Sequence, residues 1–167
     1  TDRIDAQQIV TLMMMAPYMD QIKESLQQVP VIGEVEMQLK RISRRRRQLV
    51  QEKVILQNRM QADLQSVCPG FLDTIKQIDA LYVLRFLCFR SDMRKLARLK
   101  PATVRSIPGI GKAIAERLAQ WQKTAVFGEE IPWVGPMIAE DAKRILELKE
   151  KINTMEVHMK TLIKQSR

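Results

Sequence analysis

EVEMQLKRISRRRRQLVQEKVILQNRMQADLQSV, residues Glu34 to Val67, decides the fold. It runs 34 residues without proline or glycine, so nothing in it interrupts a helical hydrogen-bond ladder. A three-four spacing joins Val35, Leu39, Ile42, Arg46, Leu49, Lys53, Leu56, Met60, Asp63 and Val67. Seven of these ten are apolar, which predicts a heptad seam interrupted by charge. At 1.5 Å per residue such a helix is about 50 Å long and needs a partner to cover its seam. Cys68-Pro69-Gly70 stops it.

The partner is predicted near the other end. Ile145, Leu148, Ile152, Met155, Met159 and Leu162 fall on consecutive a and d positions of a helix over residues 138–163. The expected architecture is all-α: an elongated antiparallel coiled-coil hairpin with a small helical cap joining the far ends, two hairpins forming a dimer. The expected divisions are residues 1–33 (a helix from Asp2 to about Met15 and a connector), 34–67 (the basic helix), 68–135 (the cap) and 136–167 (the second long helix). Within the cap, Leu72 to Phe89 reads as one helix burying Ile75, Ile78, Leu81, Tyr82 and Phe86, and a later helix buries Ile114, Leu118 and Trp121. Phe127 to Gly135 reads as a loop, with Pro136 in the first turn of the last helix.

Composition agrees with helices and points to a polyanionic partner. Aromatics make up 5% of the 167 residues and the formal net charge is +9; clustered cations gain binding free energy by releasing counterions from phosphates. The excess is concentrated between residues 34 and 135; residues 1–33 carry two basic and four acidic side chains. With no apolar run of spanning length, no membrane partner is expected. Two cysteines and one histidine argue against a zinc site, and the expected compartment is the reducing cytoplasm.

Three motifs carry possible chemistry. Lys40, Arg41, Arg44, Arg45, Arg46 and Arg47 pack six cations into eight residues without a neighbouring acid, which favours nucleic-acid phosphates over a merely solubilising face. Asn58 and Arg59 extend that face. Ile107-Pro108-Gly109-Ile110-Gly111-Lys112 has the form of a helix-hairpin-helix turn. Gly109 and Gly111 would bring backbone N–H groups to a phosphate, and Arg105 and Lys112 would add charge; a tight turn requiring glycine explains the same residues equally well. Asp2 and Asp5, three apart on a helix, put two carboxylates on one side, as a Mg²⁺ site at a phosphodiester requires. On spacing alone, two acids complementing a helix dipole are the plainer account. His158 reads as a surface or seam residue, and the methionines as adaptable packing.

The order of these elements, Thr1-Asp2-Arg3-Ile4-Asp5-Ala6, an apolar helix, Arg44-Arg45-Arg46-Arg47-Gln48-Leu49-Val50-Gln51-Glu52-Lys53, then Gln57-Asn58-Arg59-Met60, resembles the DEDD transposases of bacterial insertion sequences. That family combines a RuvC-like acidic site with a serine and includes the pilin-gene invertase. The resemblance implies that Asp2 and Asp5 are the last two members of an acidic tetrad that binds Mg²⁺ at the cleaved DNA strand. It also implies that the coiled coil and middle region assemble the protein and help hold a structured guide RNA with DNA. The strands bearing the other two acids and the serine-bearing domain are not within these residues, so the chain is expected to be an inactive central fragment of a recombinase. The alternative expectation is a non-catalytic coiled-coil adaptor that binds nucleic acid.

Overall fold

The computed structural model describes the backbone of residues 2–15, 18 and 33–165, and the side chains of these residues from Ala6 onward. All regular structure among the described residues is helical. The chain divides into two compact units, Thr1–Met37 and Gln38–Arg167. The first unit contains α1 (Asp2–Met15), whose side chains from Ala6 to Met15 are all exposed. The boundary falls within α2 (Glu34–Val67), whose acidic first turn, Glu34 and Glu36, complements the helix dipole.

The remaining elements are α3 (Pro69–Leu72), α4 (Leu81–Leu87), α5 (Met93–Leu96), α6 (Pro101–Ser106), α7 (Lys112–Thr124) and α8 (Ile131–Gln165). Leu49, Leu56, Met60, Leu64 and Val67 form the buried stripe of α2. Ile138, Ala142, Ile145 and Leu148 of α8 join the same core. Burying side chains of this kind stabilises by roughly 1.5–3 kcal/mol each before ordering entropy is subtracted. Three ion pairs fix the relative direction of the two long helices: Arg46 with Glu156, Glu52 with Arg144, and Arg59 with Asp141. As the position rises along α2 it falls along α8, so the helices are antiparallel. No described helix is long and apolar enough to cross a membrane.

The charged interruptions of the expected seam are accommodated by these pairs. Arg46 meets Glu156, while Lys53 and Lys149 converge on Asp79, at 3.3 and 2.9 Å. Asp63 is half-buried, and Leu64 beside it takes the core position. Burial by itself would raise the Asp79 carboxyl, but hydrogen bonds and charge from Lys149, then Lys53, outweigh it and hold the group below the usual carboxylate range. A depressed folded value stabilises above the unfolded pKa of about 4, and this contribution disappears as pH falls through the folded value. Asp79→Asn is therefore expected to lower stability by about 1–2 kcal/mol at pH 7, with the deficit shrinking toward pH 3 in thermal melts. An equal deficit at both pH values would contradict this account.

Two expected boundaries are corrected. The single helix expected from Leu72 to Phe89 is broken: α3 ends at Leu72, and helix resumes at Leu81. Between them the Thr74 hydroxyl donates to the Gly70 carbonyl, a local alternative to the ladder, and Asp79 is drawn to two lysines. Leu81, expected in the core, is exposed. At the other break, α8 begins at Ile131, so Pro132 and Pro136 lie inside it. Pro132, at the second helical position, removes an N–H that has no acceptor there anyway. Starting early buries Ile131 and brings Gly135 against the Ser91 carbonyl, where a Cβ would stand 3.4 Å away.

α3, α4 and α7 pack through an aromatic cluster. Phe71 and Phe86 stack at 5.9 Å, and Trp121 meets both edge-on, at 5.1 and 6.0 Å. The Gly128 N–H donates to the Val67 carbonyl at 2.9 Å, tying the loop after α7 to the end of α2.

Candidate nucleic-acid interface

Leu39, Ile42, Arg46 and Leu49 lie on the inward stripe of α2, so the residues between them are turned toward solvent. Lys40, Arg41, Arg44, Arg45 and Arg47 are all exposed. Among the described residues Lys40, Arg41, Arg44 and Arg47 form no ion pair, and Arg45 reaches Gln48 at 3.4 Å. The sequence contains no acid from Gln38 to Gln51, so the positive field here is uncompensated along the helix.

Arg46 and Arg59, grouped with these cations on sequence grounds, have intramolecular partners. The Arg46 Nε and Nη2 donate to Glu156 Oε1 at 2.9 and 2.5 Å. Arg59 grips Asp141 through both carboxylate oxygens, with Nε to Oδ2 at 2.7 Å. The Asp141 side chain is 4% exposed and that of Arg59 is 59% exposed, so one ion is buried while the other keeps contact with water. The hydrogen bond and charge of Asp141 raise the Arg59 pKa. Asp63 nearby is pushed above the usual carboxylate range by burial, then by Asp141. Asn58 is exposed.

The antiparallel register adds a cation that sequence reasoning missed. Lys160, one turn beyond Glu156, shares a groove of about 460 Å³ with Arg47, Val50, Gln51, Met159 and Ile163. Its signal was the i,i+4 spacing from Glu156, but this became informative only once Glu156 was placed beside Arg46.

The glycine turn joins α6 to α7. Ile110 N–H donates to the Ile107 carbonyl at 3.2 Å, with Pro108 and Gly109 between them and φ +94° at Gly109. This is the pattern of a type II turn. Gly109 is therefore required by backbone conformation, and a Cβ there would also stand 3.4 Å from Tyr82 Cβ. Gly111 has an ordinary extended conformation and open space around it. It caps α7, whose first helical bond runs from Ala115 N–H to the Gly111 carbonyl. The preceding N–H groups have no acceptor within the helix, and no acid occupies the first turn. Arg105 and Lys112, both exposed, flank the turn. Arg85, absent from the sequence reading, supports it by donating to the Pro108 carbonyl at 3.0 Å.

Asp2 and Asp5 lie on the backbone of α1, three positions apart, as a pair of metal ligands on one helix side requires; their side chains lie outside the described residues. Among the described residues no group of three His, Cys, Asp or Glu side chains is arranged to hold a metal. Two carboxylates fit part of a Mg²⁺ site and need further ligands to complete it. His158 is exposed. No family model, curated protein or solved structure matches this chain.

Proposed function

We propose that this chain is a nucleic-acid-binding and assembly segment of a DNA transposase resembling the DEDD insertion-sequence enzymes. The observation that carries the reading is the contrast along α2: Arg46 and Arg59 are paired with acids of α8, whereas Lys40, Arg41, Arg44 and Arg47 face solvent with no acidic partner among the described residues. Stability does not require those four charges at those positions, whereas phosphate binding does. The α7 N-terminus, flanked by Arg105 and Lys112, offers a sequence-independent contact to the same kind of ligand. DNA and a structured guide RNA are the proposed ligands.

In this reading α2 and α8 form a coiled-coil hairpin. Exposed Val54, Ile55 and Val157 supply apolar surface for a second copy, and sedimentation equilibrium would read the dimer. Asp2 and Asp5 are proposed to bind Mg²⁺ with acids of the catalytic domain. In a protein carrying the whole acidic site, Asp5→Asn would then stop strand cleavage, and an active variant would remove Asp5 from the site.

The direct test replaces Arg44, Arg45 and Arg47 together by glutamine and measures affinity for duplex DNA and for RNA against salt concentration. If each contacts one phosphate of duplex DNA, the slope of log K against log[salt] becomes shallower by about 2–3, at about 0.9 per contact. Unchanged affinity and slope would leave the cations a structural role and overturn the proposal.

A further inference from the structure

A second surface has the same character as the α2 cations and lies in a different part of the fold. Between Met93 and Thr124 there are eight lysines and arginines and one acid, Glu116. Lys95, Arg98, Lys100, Arg105 and Lys112 are exposed and form no ion pair among the described residues. They are carried on one packed body: α6 lies against α7, and the Gln122 amide donates to the Leu96 and Leu99 carbonyls at 2.9 and 3.2 Å.

This body is attached at the Val67 end of α2, through the Gly128–Val67 hydrogen bond and the Phe71–Trp121 contact. Arg47 is twenty positions back along the helix, about 30 Å at 1.5 Å per residue. Arg47 therefore lies several Debye lengths at physiological salt from the point where this body is attached. Apart from Arg59, which is exposed but paired with Asp141, the exposed residues of the intervening stretch of α2 are uncharged, Gln51, Val54, Asn58, Gln61 and Gln65 among them. The charged side chains of that interval, Glu52, Lys53 and Arg59, are bound to Arg144, Asp79 and Asp141, and Asp63 is half-buried. A single polyanion lying along α2 would therefore cross a neutral stretch that offers its phosphates nothing.

We infer that the chain carries two separate phosphate-backbone sites, one on Arg44, Arg45 and Arg47 and one on Lys100, Arg105 and Lys112, and holds two nucleic-acid segments at once. The inference rests on the nucleic-acid reading above and adds to it the number and independence of the sites. Phosphodiester backbone is the recognised chemistry at both, because cations and backbone N–H groups read charge rather than base sequence.

The test uses the full chain and DNA duplexes of about one helical turn, ~11 base pairs, labelled separately with donor and acceptor dyes. Unaltered protein is expected to bind two duplexes per chain and to give energy transfer between them. Replacing Arg44, Arg45 and Arg47 by glutamine, or Lys100, Arg105 and Lys112 by glutamine, is expected to leave one duplex per chain, with circular dichroism unchanged. One duplex per chain in the unaltered protein, or loss of all binding in either variant, would show a single composite site and overturn the inference. Energy transfer confined to protein concentrations at which the chain dimerises would place the pairing in a dimer of single-site chains and also overturn it. Absence of binding to any duplex or RNA would remove the nucleic-acid reading itself, an outcome distinct from one site.

Discussion

Phe86→Ala is expected to destabilise the Gln38–Arg167 unit by about 3–5 kcal/mol. The side chain is fully buried, stacked on Phe71 and edge-on to Trp121, so its removal opens a cavity among three elements. α3 has four residues and α4 seven, far below the length at which an isolated helix is stable in water. Their order comes from this cluster and not from intrinsic propensity. The loss should appear in denaturant titrations followed by far-ultraviolet circular dichroism, and Phe86→Leu, which keeps most of the volume, should cost about half as much. A Phe86→Ala cost under about 1 kcal/mol would show that the cap does not depend on the aromatic contacts.

Arg59→Met should be the second most damaging substitution, because it leaves the Asp141 carboxylate buried without its partner. Removing one member of a buried pair typically costs about 3–5 kcal/mol; water at the exposed Arg59 side reduces the expectation to about 2 kcal/mol. The aliphatic stem survives in methionine, so most packing is retained and the loss isolates the charge. Asp63, whose carboxyl is pushed up by burial and then by Asp141, also loses the opposing charge of Arg59 in this variant. The double variant Arg59→Met with Asp141→Leu should recover most of the lost stability, since it removes the unpaired ion as well. If the double variant were no more stable than the single one, the damage would lie elsewhere. Affinity for nucleic acid should be nearly unchanged in folded Arg59→Met, in contrast to the Arg44, Arg45 and Arg47 variant.

The arginines of α2 show where sequence reasoning stopped. The absence of proline and glycine from Glu34 to Val67, the three-four spacing, and the stop at Cys68-Pro69 were enough to define α2, because helix formation is governed by groups within four residues of one another. The seam of the last helix and the turn at Pro108-Gly109 were legible for the same reason. The start of α8 was not, since proline statistics are local, whereas Ile131 and Gly135 are held by contacts with the rest of the core, the Ser91 backbone among them. Nor was the break between Leu72 and Leu81, where Asp79 is drawn to lysines of both long helices.

Residue by residue, Arg44, Arg45, Arg46, Arg47 and Arg59 look alike in the sequence. They differ in what faces them: Arg46 meets Glu156 and Arg59 meets Asp141, at separations of 110 and 82 positions, while Arg44 and Arg47 meet solvent. The sequence by itself determined α2 and the apolar seam of α8, which depend on near neighbours, and the total of positive charge. Tertiary structure alone decided which charges are neutralised and which remain available. Neutralisation requires an opposite charge within about 4 Å in space, and the antiparallel packing of α2 against α8 is what supplies it.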